Sequence, residues 1–441
     1  MRGPKAIAAM LMLAASLTPA WSFQAAPVPA PIAPPAVPPE LVALMRQNLY
    51  AIALENGRLT GPGADFLRRE FADVQFVGLG ETHNNADIPP LTTALFRELH
   101  DRHGFNYFAT EQDPVTMRAF SAAPLRGNAD AIGEATRREP YSVTFATDQE
   151  LEMLAEIGRT ANGRHRPIWG CEQAFGATHI LRRLEARAPN AAAREVVRSL
   201  RERAAAVEAR RDPAISQHFM ARTELAEDMA RLRAAFPNPD AETAFMLRAV
   251  TLSPEIYSYY RAAVRGEMPG GWTNSRVREE YMKEVCGAEY RAALAADRAP
   301  PRVLFKFGHW HVYEVNSPAS ITTLGTFFSQ AARMNGMGYR SIGVMPTRYE
   351  GRAIWEGDDN PEMLPFAPIA DHGRWQILDL RPLREYPRFR QLVAAMGDRP
   401  PTARNALTRV IYGFDFLFMI GDHRDGTYRR AAIAEAPPAA R

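Results

Sequence analysis

The chain has 441 residues, 46% hydrophobic and 23% charged, enough apolar material for a sizeable core. Its formal charge of +3 falls to +1 once Arg2 and Lys5 leave with an N-terminal leader, which excludes a strong electrostatic draw towards nucleic acid or an anionic membrane surface. Lysine occurs only at Lys5, Lys283 and Lys306, so the basic charge is almost all arginine and no single arginine patch carries meaning.

The N-terminus reads as an export signal. Basic "MRGPK" precedes an apolar run, "AIAAMLMLAASLTPA", and the small residues "AWS" stand before Phe23. The run falls short of the about 20 residues a membrane span needs. Residues 1–22 are therefore expected to be cleaved, leaving an exported, periplasmic or secreted protein without a stable membrane anchor. Residues 23–40, with "APVPAPIAPPAVPPE", read as an extended Pro/Ala-rich linker. The folded region is expected over residues 41–433, with a flexible tail at 434–441.

A helix is predicted over "LVALMRQNLYAIALENG", ending at Gly57. Short apolar segments follow, alternating with helical pattern: "VQFVGLG", "FNYFAT", "RPIWGC", "RVLFKFG", "RSIGVM", "WQILDL" and "FDFLFMI". Between the first two, "PPLTTALFRELHDRHG" places Leu91, Leu95 and Leu99 at helical spacing and ends on a glycine. That is a βαβ unit, and continuous rather than alternating apolarity suits strands buried on both faces. The fold class is thus α/β, a mostly parallel central sheet flanked by helices. An Ala/Arg/Glu-rich stretch from about Ile180 to Ala295 adds a helical insertion or subdomain.

Open parallel sheets bind ligands at the carboxyl ends of their strands. Four predicted strands end on an ionisable group: Glu81, Glu111, Glu172 and His309. Residues two apart on extended chain point the same way, so Glu81 with His83, and His309 with His311, can each face one side. Such a set can activate water, imidazole acting as base and carboxylates orienting it. It can equally hold a divalent metal, with His83, His309, Glu81 and Glu111 as ligands. Lys306 reads as structural, its stem packed and its amine snorkelling to solvent. His100 and His103 suit a helix C-terminus. Cys171 and Cys286 are the only disulfide candidates, and fit buried free thiols equally well. Serine-nucleophile elbow, H-E-x-x-H, P-loop and G-x-G-x-x-G patterns are absent.

With these residues in view, the chain resembles the erythromycin esterase-like family, in a superfamily with ChaN-type haem-binding lipoproteins and Tiki-type metalloproteases. The resemblance runs from about Val74 to Ile420 and rests on "VGLGETHNNADI", "YFATEQ", "IWGCEQ", "SRVREEYM", "FKFGHWHVYE", "LGTFFSQAARMNGMGYRSIGVM" and "FDFLFMI". It implies a hydrolase of esters or lactones with His83 as general base and Glu81 and Glu111 orienting it. His309 or His311 would polarise the carbonyl and Arg278 stabilise the oxyanion, with Glu172, Trp310 and Glu279 contacting a small-molecule substrate. Glu81 and His83 are one residue closer together than is usual in the esterases, and His309 and His311 are likewise tighter. The first spacing is nearer the ChaN and Tiki branches. Those branches imply the alternatives: a metal-dependent hydrolase or peptidase, or a non-catalytic haem- or metal-binding protein.

Overall fold

The computed structural model describes residues 37–139, 141–211, 218–222, 225–317, 320–355, 361–388, 391 and 401–430. The expected signal segment 1–22, all but the last residues of the linker, and the tail 434–441 lie outside the described residues. No helix among those described is long and apolar enough to cross a membrane.

The first elements depart from expectation. Helix α1 covers only Pro39–Gln47, with Leu41 and Met45 one turn apart on its buried side. Strand β1 (Leu49–Glu55) follows at once and turns back into β2 (Arg58–Thr60). The predicted helix to Gly57 is therefore half strand. Asn56 and Gly57 both take positive φ, 51° and 72°, the geometry of a two-residue hairpin turn. Pairing to the rest of the sheet overrides the helical propensity of "YAIALEN".

Beyond α2 (Pro62–Glu70), strand β3 (Val74–Glu81) is buried at every position. Helix α3 (Ile88–His103) starts on a proline pair and stops at Gly104, whose φ of 70° lets its N–H reach the carbonyls of His100 and Leu99. Next come β4 (Tyr107–Thr110), α4 (Pro114–Phe120), α5 (Ala129–Arg138), α6 (Asp148–Thr160) and β5 (Ile168–Gly170). Among the described residues five α-helices come next: α7 (Thr178–Ala186), α8 (Ala191–Glu208), α9 (Leu225–Ala234), α10 (Ala241–Val264) and α11 (Gly271–Asp297). This is the expected helical insertion. Strand β6 (Val303–Gly308) leads into a 3-10 turn, His309–Val312, and then α12 (Leu324–Met334). The closing elements are β7 (Gly338–Tyr349), β8 (Arg352–Ala353), β9 (Trp375–Asp379), α13 (Arg381–Arg384), α14 (Pro401–Gly413) and β10 (Phe416–Asp422).

The fold is α/β with mostly parallel core strands, and its elements fall into two compact units. One holds the described residues up to Asn106 together with Pro300–Arg424. Its strand order is β2-β1-β9-β10-β7-β3-β6, with β8 paired to β7. Strands β10, β7, β3 and β6 run parallel, whereas β9, β1 and β2 join antiparallel. Gly78 in β3 is a close-approach position. A Cβ there would collide with the Tyr339 hydroxyl, which donates to the Val312 carbonyl at 2.8 Å.

The other unit holds Tyr107–Ala299 and resumes at Asp425. Strands β4 and β5 pair in parallel, Phe108 opposite Ile168 and Thr110 opposite Gly170. The insertion has its own core, in which Ile180, Leu184, Val197, Leu200, Leu232 and Val250 are almost fully buried. Each such side chain contributes about 1.5–3 kcal/mol relative to leaving it in water.

Candidate functional site

In the unit containing β3, the polar stop of the strand is built into the sheet. Glu81, the last residue of β3, is opposite Gly308 in the parallel register, and only 5% of it is exposed. Two donors converge on its Oε1. The Lys306 ammonium is 2.8 Å away and the His83 Nδ1 3.1 Å away. Burial acts to raise the Glu81 pKa, but the Lys306 charge and the His83 hydrogen bond outweigh it and hold the carboxyl below its ordinary range. A carboxylate only accepts, so His83 donates its Nδ1–H, and Nε2 is its basic nitrogen when neutral. Glu81 and His83 meet as expected, although His83 lies in a turn beyond the strand end rather than on extended chain.

Lys306 corrects the sequence reading. Its amine does not snorkel; 1% of the residue is exposed and the ammonium is spent on Glu81 inside the sheet. A buried carboxylate needs a buried partner, and the signal was present: one of only three lysines, set in a six-residue apolar strand.

His309 and His311 do not share a face. They sit in the 3-10 turn His309–Val312, where residues two apart are about 240° apart around the axis. His309 Nε2–H donates to the Val344 carbonyl at 2.9 Å, and its ring meets Phe414 edge-on. Burial lowers its pKa to about 4, opposed by the Val344 bond, and both His83 and Glu81 are near enough to act on it electrostatically. His309 is therefore a neutral imidazole at pH 7 with Nδ1 as its acceptor. His311 turns inward, 2% exposed, beside the rings of Phe307 and Trp310. Trp310 is half-buried on the same turn.

The unit containing β4 and β5 carries a separate charged cluster. Glu111 follows β4 directly and Glu172 lies two residues beyond β5, 3% and 1% exposed. Helix α11 brings Arg278 between them, its guanidinium ion-paired with both carboxylates. Its Nε also donates to Glu172 Oε1 at 3.0 Å and Gln173 Oε1 at 3.1 Å. Burial works against the arginine's charge, but Glu172 and Glu111 more than offset it and raise the pKa further. A guanidinium committed to two carboxylates is not the open donor that oxyanion stabilisation calls for. Glu279, next on the helix, is buried. Cys171 and Cys286 are bonded, Cα atoms 5.7 Å apart, tying the segment before Glu172 to the helix bearing Arg278.

Several atoms of the candidate metal ligands are already engaged. Glu81 Oε1 already accepts from Lys306 and His83, and His309 Nε2 faces a carbonyl. Among the described residues no three His, Cys, Asp or Glu side chains converge as a metal set.

No family model matches the chain, and no curated protein matches it significantly. Solved structures do. A Bacillus cereus protein from a structural-genomics programme superposes with a TM-score of 0.57 at 14% identity, covering 88% of this chain and 98% of its own. An erythromycin esterase, a mutant of EreC in its open conformation, gives 0.55 at 14%, covering 86% and 99%. A succinoglycan biosynthesis protein gives 0.54 at 13%, covering 88% and 98%. At this identity the likeness establishes an erythromycin esterase-like fold.

Proposed function

We propose that this erythromycin esterase-like fold belongs to an exported hydrolase that cleaves an ester or lactone with water activated by His83. The observation that carries the reading is the buried Glu81 carboxylate accepting from His83 Nδ1. It fixes the tautomer whose Nε2 takes a proton from water as the oxygen adds to the carbonyl carbon. That proton then goes to the departing alkoxide, and the carboxylate steadies the imidazolium in between. His309, neutral and with its N–H given to Val344, offers Nδ1 as a second acceptor for the water. This replaces the carbonyl-polarising role, which would need a donor. The Cys171–Cys286 bond supports folding in an oxidising compartment.

The test is a panel of esters and lactones assayed on wild type and His83→Ala, with and without chelator. Hydrolysis should withstand the chelator, and His83→Ala should lower kcat/KM by about 10²–10⁴-fold. A variant equal to wild type on every substrate cleaved removes His83 as the base. Loss of activity with chelator transfers the reaction to a metal.

A further inference from the structure

Lys306 lies in β6, all six residues of which are buried. Its register partner on β3 is Leu79, and Glu81 lies two residues further along on the same face. The stem therefore runs forward along the sheet, and the ammonium meets Glu81 Oε1 at 2.8 Å. A charge in this setting is a poor source of stability. Desolvating the pair costs about as much as the attraction returns, and an apolar side chain of similar volume would pack as well. Its effect is better sought on the third member of the chain of contacts, His83, whose Nδ1 shares the same carboxylate oxygen.

We propose that Lys306 is a positioning residue for His83: its ammonium keeps Glu81 an acceptor-only carboxylate, and that carboxylate keeps His83 in the Nδ1–H tautomer. The inference rests on the reading of His83 as the base. The state that Lys306 excludes is a protonated Glu81. A buried carboxyl without a cation takes up a proton and becomes a donor, and a donor facing Nδ1 pushes the ring proton to Nε2. The basic nitrogen would then point at Glu81 instead of at water. Two N–H donors on Oε1 block that arrangement.

The experiment is imidazole ¹⁵N NMR on the full chain near pH 8, with His83 assigned by its loss in His83→Ala. Wild type should show His83 protonated at Nδ1 alone. Lys306→Met should populate the Nε2–H form and lower kcat by about tenfold or more with KM little changed. Should Lys306→Met not fold, Lys306→Gln keeps an N–H towards Glu81 without the charge, and the same change is expected. An unaltered His83 tautomer in whichever variant folds overturns the proposal. The tautomer is read without substrate, so the two readings fail separately. A shifted tautomer in a protein that cleaves no ester sinks the hydrolase reading and leaves the positioning role standing.

Discussion

Glu314 and Asp415 meet carboxyl to carboxyl, one just after the turn that holds His309 and the other at the entrance to β10. Ser329 donates to Glu314 Oε2 at 3.1 Å, Arg333 stands 3.6 Å from it, and Arg384 lies 3.2 Å from Asp415 Oδ1. The Glu314 N–H also donates to the Gly413 carbonyl at 3.1 Å, so the pair joins two segments of backbone.

Burial first, and the Asp415 charge next, push Glu314 from its ordinary 4.5 up to about 7. Between those values the folded chain binds a proton that the unfolded chain releases. Stability must therefore fall as pH rises through that window and level off above it. Urea unfolding should show a loss of up to about 3 kcal/mol from this group between pH 4.5 and 7.5. Glu314→Gln should remove that part of the slope. An unchanged slope in the variant would show that Glu314 is not the group that holds the proton.

Removing Arg278 should destabilise strongly, because Glu111 and Glu172 would be left buried without their cation. Arg278→Met is expected to cost about 3–5 kcal/mol in urea unfolding. Arg278→Lys should recover little, since a point charge cannot bridge two carboxylates as a planar fork does. Full rescue by lysine would mean the fork geometry is immaterial.

Gly325, in the first turn of α12, abuts the backbone of Val312 and Tyr313, where an added Cβ would collide. Neither neighbour can swing aside as a side chain can. Gly325→Ala should therefore lower stability by about 1–3 kcal/mol and shift the His309–Val312 turn. The NMR signals of His309 should move while those of His179, in the other unit, stay in place. A silent substitution would show that the contact is loose.

At Gly57 the positive φ, not space, is limiting, since the nearest atom to a new Cβ is the far end of the long Arg97 side chain. Gly57→Ala should cost about 1 kcal/mol by thermal or urea unfolding. No measurable cost would argue against the Asn56–Gly57 hairpin.

That hairpin shows where sequence reasoning ran out. "ENGR" carried the turn signal, but "LVALMRQNLYAIALE" offers helical spacing as readily as alternation, and only pairing with β9 decides. The buried strands were legible because they are apolar without interruption, β3 and β6 above all. Their terminal groups were legible too, since a carboxylate or imidazole breaks such a run sharply. What each group touches was not. His309 and His311 diverge because the backbone tightens into a 3-10 turn immediately after Gly308. Lys306 misleads because a long aliphatic stem fits both a snorkelling and a buried amine, and the contact with Glu81 settles which. The two cysteines stayed ambiguous for a similar reason: their approach depends on how α11 packs near β5.

The bond between Cys171 and Cys286 spans a sequence separation of 115 and closes a covalent ring around the helical insertion. Helices α7 to α10 and the first part of α11 all lie inside it. A protease cut anywhere within the ring leaves two pieces still tethered, which part on a gel only after reduction.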